Sequence, residues 1–199
     1  MSVSFNQRSH KAGLAQAEET EILPDSNTYW VVHGRLAAGG YPLNPSRGTD
    51  RQRLAAFVEC GFLDFVDLTE LGELDEYGPL LEDIAAEHKL EVSHTRFPIV
   101  DRGIPSPILM DQLVAHLSKC LANDRRAYVH CLAGVGRTGI AVGCYLAASG
   151  KIDTPDVLGS LRLLRSGIEK FDRFPVSPSL TTQRAFLLKW AEVRRARDG

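Results

Sequence analysis

One segment constrains this chain more than any other: Val129-His130-Cys131-Leu132-Ala133-Gly134-Val135-Gly136-Arg137-Thr138-Gly139. It begins in a short apolar stretch, Ala127 to His130, that reads as a strand. It ends in an apolar stretch, Thr138 to Ser149, that reads as a helix. A strand that hands directly to a helix through a glycine-rich loop is the building unit of a sheet covered by helices. The rest of the chain keeps the same rhythm. Tyr29 to Val32 and Arg35 to Gly39 are strand candidates around a turn at His33-Gly34. A helix over Asp50 to Cys60 stops at Gly61. Phe62 to Leu68 has the low polarity of a central parallel strand. An acidic loop, Thr69 to Tyr77, precedes a helix over Pro79 to His88. Val92 to Ile99 is a strand interrupted by Pro98. Leu109, Leu113, Leu117 and Leu121 give Ser106 to Leu121 a helical apolar stripe. Two more helices are expected, Pro155 to Ser166 and Thr181 to Arg197. The fold class that follows is α/β, with a single central, mostly parallel sheet flanked by helices on both faces.

The loop itself is built for an anion. At a strand-to-helix junction the backbone N–H groups of the loop and the helix start converge, and the helix dipole adds partial positive charge. Gly134 and Gly136 permit the positive φ angles that curl successive amides into a nest. Leu132, Ala133, Gly134, Val135 and Gly136 are therefore the expected phosphate-binding positions. Arg137 adds a planar fork able to hold two phosphate oxygens. Cys131 stands at the mouth of this nest. Such surroundings lower a thiol from about 8.5 to about 3.5–7.5, which makes a nucleophilic thiolate available at neutral pH. The surrounding cradle supplies the positioning and charge stabilisation that phosphoryl transfer demands.

Composition narrows the partners. The 199 residues suit one domain with a proper core. A boundary is placed after residue 27: residues 1–27 form a polar extension, and residues 28–199 form the domain. Ala12 to Glu21 is either a short surface helix or part of a disordered tail. A net charge of -2 offers no field for nucleic acid or acidic membranes. No apolar run approaches the ~18 residues of a membrane span. The four cysteines form no C-x-x-C pair, and Cys60, Cys120 and Cys144 read as structural thiols. No secretory signal opens the chain, so a reducing, cytoplasmic setting is expected. The six histidines are scattered without ligand spacing. Neither a metal nor a cofactor is called for, and a monomer is expected.

The long form of the loop, H-C-x-x-G-x-x-R-[ST]-G, is filled at every fixed position by His130, Cys131, Gly134, Arg137, Thr138 and Gly139. It resembles the signature of the protein tyrosine and dual-specificity phosphatase superfamily, and in particular its small atypical dual-specificity members, bacterial ones included. The likeness runs from about Tyr29 to Trp190. It implies that Thr138 hydrogen-bonds the cysteine sulfur and eases its departure in a second step. It implies that His130 orders the loop. Phe97-Pro98-Ile99-Val100-Asp101 resembles the family's F-P-[IV]-x-D loop, which makes Asp101 the general acid and later the base. Gln183 matches a glutamine near the hydrolytic water. Ser179 stands where close relatives carry glutamate, which leaves Asp101 to act alone.

Other site readings stay open. Glu70 either orients Arg137 and the loop amides or belongs, with Glu73, Asp75 and Glu76, to a solvated acidic loop. Tyr41 and Tyr77 read as core or rim packing, with stacking on a substrate ring as the alternative. Arg102 and Arg96 are available to hold an acidic substrate or are surface charges. The expected activity is hydrolysis of phosphate monoesters in a phosphoprotein or phosphopeptide. Phosphotyrosine comes first, with phosphoserine and phosphothreonine open, through a cysteinyl-phosphate. Loop positions without lysine argue against polyphosphoinositides. Two rivals remain: a phosphatase of a small phosphorylated metabolite or lipid, and a non-catalytic phospho-binding module.

Overall fold

A computed structural model describes residues 22–43, 49–150 and 156–198. The stretch Ala12 to Glu21, read as a surface helix or a tail, lies outside these residues. The strands are β1 (Tyr29–Val32), β2 (Leu36–Gly39), β3 (Phe62–Asp67), β4 (Ser93–Arg96) and β5 (Arg126–His130). They lie in the order β1-β2-β5-β3-β4. Only the β1–β2 hairpin is antiparallel; β5 runs parallel to both of its neighbours, β2 and β3.

Alternation along each strand splits the core in two. On β5, Ala127 and Val129 face one cluster and Tyr128 faces the other; on β2, Leu36 and Ala38 oppose Ala37. This period of two is the geometry of the pleat. The larger cluster is covered by α3 (Pro107–Ala122), α4 (Arg137–Ala148), α5 (Val157–Arg165) and α6 (Thr181–Asp198). The smaller lies under α1 (Asp50–Glu59) and α2 (Gly78–Glu87), with Phe57, Phe62, Phe65 and Tyr128 packed edge to face. Among the described residues, no helix is long and apolar enough to cross a membrane.

Two boundaries differ from the sequence reading. The last strand before the acid loop is shorter than Val92 to Ile99. Beyond Arg96 the chain still tracks β3, with Phe97 N–H donating to Asp67 O (2.8 Å) and Ile99 N–H to Leu68 O (3.1 Å). Pro98 between them has no N–H to donate, and the ladder ends. At the other end, residues 25–27 are fixed to the domain rather than trailing from it. Asp25 Oδ1 accepts from Asn27 N–H (2.7 Å), an Asx turn. Asn27 Oδ1 accepts from Lys170 N–H (2.9 Å), and Glu169 N–H donates to Ser26 O (3.0 Å).

Candidate active site

β5 is the central strand, and its carboxyl end carries the site. Cys131 follows immediately and is 3% exposed, and α4 begins six residues later. In open α/β sheets ligands bind at this end of the strands. Cys131, Arg137, Asp101, Arg102, Phe174 and Gln183 line one cavity of about 370 Å³, together with loop positions Leu132, Ala133, Val135 and Gly136.

The glycines act by different means. Gly134 has φ +74, and an added Cβ would lie 2.5 Å from the Gly39 carbonyl carbon. That neighbour is backbone and cannot yield. Gly136 has φ −79, so its need is for space rather than for a positive φ. A Cβ there would meet Gln183 Oε1 at 2.9 Å. The loop is also held from outside. Leu132 O accepts from Tyr41 N–H (3.0 Å), and Val135 O accepts from Ser177 Oγ (2.7 Å).

Arg137 is 2% exposed and is almost wholly engaged by the protein. Its two terminal nitrogens donate to the two oxygens of Glu73, each at 2.6 Å. Nη1 also donates to Ile99 O (3.1 Å), and Nη2 to Asp101 Oδ1 (3.0 Å). Burial works against the charged guanidinium, but Glu73, Cys131 and Asp101 outweigh it and hold Arg137 above its ordinary pKa. Reciprocally, Arg137 holds the Glu73 carboxyl below the usual range.

Glu73 is the residue that sequence reasoning missed. The carboxylate on Arg137 belongs to Glu73, while Glu70 supplies only backbone: its N–H donates to Glu73 Oε2 (3.0 Å) and its carbonyl accepts from Arg96 (2.8 Å). Four carboxylates within seven loop residues look interchangeable in sequence, and only the fold selects one. Arg96 is likewise committed, to Asp67 (3.3 Å) and Glu76 (2.8 Å), and is not available to a substrate.

Thr138 is fully buried, and its hydroxyl donates to Gly39 O (3.3 Å) in this structure rather than to the cysteine sulfur. His130 Nε2 shares a 2.6 Å hydrogen bond with the Tyr77 hydroxyl. Burial pushes the imidazole down to about 4, against the pull of Asp67, so it is neutral near pH 7. Tyr77 is therefore a buried partner of the loop histidine and not a wall for a substrate ring. Gln183 is 1% exposed; its Nε2 donates to Gly103 O (3.0 Å) and ties the acid loop to α6. Asp101 is 57% exposed on the cavity rim. Burial drives Cys144 well above a normal thiol and Cys120 up to about 11. Cys60 is half-buried at the end of α1 rather than in the core.

A strand-end cysteine, a glycine loop at a helix start, a buried arginine and a rim carboxylate thus share one cavity. Residues 25–185 match the Swiss Army Knife protein DSP-PTPase phosphatase domain, and the chain belongs to that family. Cyclin-dependent kinase inhibitor 3 of Homo sapiens is 32% identical over 134 residues, covering 66% of this chain and 62% of the relative. Dual specificity protein phosphatase CDC14AB of Danio rerio is 34% identical over 152 residues, 75% of this chain but 24% of the relative. The chain thus spans less than two thirds of the first relative and about a quarter of the second. PTPMT1 in complex with PI(5)P superposes with a TM-score of 0.62 at 20% identity, over 87% of this chain and 99% of that one. At that identity the likeness establishes the fold: this is the phosphatase fold.

Proposed function

We propose that the chain is a cysteine-dependent phosphatase that hydrolyses phosphate monoesters of proteins through a cysteinyl-phosphate. One observation carries the reading: Cys131, the loop residues Leu132, Ala133, Val135 and Gly136, Arg137 and Asp101 all line one cavity. In the first step the Cys131 sulfur attacks phosphorus, an S–P bond forms, and the ester O–P bond breaks. Asp101 gives its proton to the departing oxygen. In the second step water attacks phosphorus and gives a proton to the Asp101 carboxylate. The S–P bond breaks, the thiolate returns and inorganic phosphate leaves. Loop amides hold the equatorial oxygens throughout, and Arg137 joins them with the Nη2 N–H that it gives to Asp101 in the free site. Arg137 enters this role with Glu73 already fixing its plane. Thr138 reaches the sulfur only by giving up Gly39 O, and that exchange belongs to the second step.

A protein substrate is supported by the kinship with the dual specificity protein phosphatase CDC14AB. The second reading, a phosphorylated lipid, draws on the fold shared with PTPMT1 bound to PI(5)P. Hydrolysis of para-nitrophenyl phosphate by wild type and Cys131→Ser, with a chelator present, tests the chemistry. Turnover by wild type alone is expected; equal turnover by the serine variant would sink the mechanism. A panel of phosphopeptides and phospholipids then separates the two substrate readings.

A further inference from the structure

Asp101 and Arg102 are the two central residues of one tight turn. Val100 O accepts from Gly103 N–H at 2.8 Å, and Arg102 has φ +60 while Asp101 is not among the positive-φ residues. That is the pattern of a type II turn, whose third position glycine takes without steric cost. A side chain at that corner is strained, and strain of this kind collects at functional sites. The turn is also anchored, since Gln183 on α6 holds the Gly103 carbonyl at 3.0 Å. Arg102 is thereby fixed where it lines the same cavity as Cys131.

The charged residues lining that cavity are Asp101, Arg102 and Arg137. Arg137 has spent its terminal N–H groups on Glu73, Ile99 O and Asp101. Leu132, Ala133 and Val135 bring no charge. Among the described residues, Arg102 is the one cation lining the cavity without a hydrogen-bonded or ion-paired protein acceptor. It shares a turn and a cavity with Asp101, which in the proposed mechanism protonates the leaving oxygen.

We propose that Arg102 is a specificity-determining residue that takes a second anionic group of the substrate, on the alcohol side of the phosphate bound by loop 131–137. The proposal rests on the phosphatase reading of the same cavity. The substrate class it names is a phosphate monoester whose leaving alcohol carries a neighbouring phosphate or carboxylate. That chemistry is found in multiply modified protein segments and in small polyol phosphates.

The test compares kcat/KM for two substrate pairs, with wild type, Arg102→Ala and Arg102→Gly. One pair is a singly phosphorylated peptide and the same peptide with a second phosphate close by. The other is a polyol monophosphate and its bisphosphate. Wild type should prefer the doubly charged member of at least one pair by about 10-fold, equivalent to about 1.4 kcal/mol. Both variants should lose that preference, through KM rather than kcat, and added salt should erode it in wild type. Arg102→Gly should melt at or above the wild-type temperature, because glycine accepts φ +60 freely; this separates lost recognition from lost folding. A preference confined to the peptides or to the polyols supports the proposal and assigns the source of the second anion. A preference that survives in both variants overturns it. So does a wild type that hydrolyses single phosphates yet prefers neither doubly charged substrate, which leaves the phosphatase reading standing. A wild type that hydrolyses no ester defeats both.

Discussion

Removing Glu73 is the sharpest perturbation of the site that leaves every reacting atom in place. Its carboxylate takes two 2.6 Å hydrogen bonds from Arg137. The Arg137 side chain is 2% exposed and that of Glu73 18%, so the cation is dry and the carboxylate has a wet edge. Stripping one partner from a fully buried pair costs about 3–5 kcal/mol, and an exposed pair is worth about 0.2–1 kcal/mol. Glu73→Ala lies between these limits, nearer the buried one, at about 2–3 kcal/mol. At about 2–4 °C per kcal/mol for a domain of this size, the melting temperature should fall by roughly 4–12 °C. Activity should fall further than stability. The freed guanidinium keeps only Ile99 O and Asp101 as partners, and a fork drawn towards Asp101 no longer presents its plane to phosphate. A loss of about 10–100-fold in kcat/KM is expected for a misaligned group of this kind. Glu73→Gln keeps one acceptor and should fall between. The pair also shapes the acid side of the stability curve. Because the Glu73 carboxyl is held low by Arg137, its contribution is complete above the unfolded value near ~4.3 and is lost as pH falls through the lower folded value. Thermal melts and para-nitrophenyl phosphate kinetics, run at pH 7 and at pH 4, read all of this. A folded Glu73→Ala within threefold of wild type in rate and 2 °C in melting temperature would refute the reasoning.

Three further expectations follow from the same geometry. Asp101→Ala should lower turnover of an alkyl phosphate by about 10²–10⁴-fold, and that of para-nitrophenyl phosphate far less; equal losses would remove Asp101 from the acid role. Arg137→Lys should be nearly as inactive as Arg137→Ala, because an ammonium can match neither the Glu73 fork nor the phosphate fork, and near-normal rates for the lysine variant would contradict this. His130, neutral and buried with a value near 4, binds its proton more readily unfolded than folded between pH ~6.5 and 4. Wild type should therefore lose about 2–3 kcal/mol as pH falls across that window, His130→Asn should lose less, and parallel melting curves for the two would count against the assignment.

Legibility in the sequence followed the range of the interactions. The strand-loop-helix unit around Cys131 is local, and its residues spell out their own geometry. Gly134 sits at positive φ as expected, and α4 starts at Arg137. The strand-helix rhythm also sufficed for the mostly parallel sheet, because strands buried on both faces, such as β2 and β5, read as short apolar runs between helices. What stayed hidden depends on contacts across the fold. Glu73 reaches Arg137 across 64 residues, and Tyr77 reaches His130 across 53. Neither pairing has a spacing to read. Gly136 was assigned to backbone conformation when its constraint is Gln183, a side chain on a distant helix. The anchoring of residues 26 and 27 was hidden for the same reason: Ser26 and Asn27 look like loop residues until Glu169 and Lys170 are seen to close on them.

The central claim is that phosphate passes through Cys131. The direct measurement is to mix the protein with para-nitrophenyl phosphate, quench in acid within one turnover, and map phosphoryl groups by mass spectrometry. The account predicts a phosphoryl group on the peptide containing Cys131 in wild type, more of it in Asp101→Ala, and none in Cys131→Ser. Label on another residue, or full turnover with Cys131 never labelled, would contradict it.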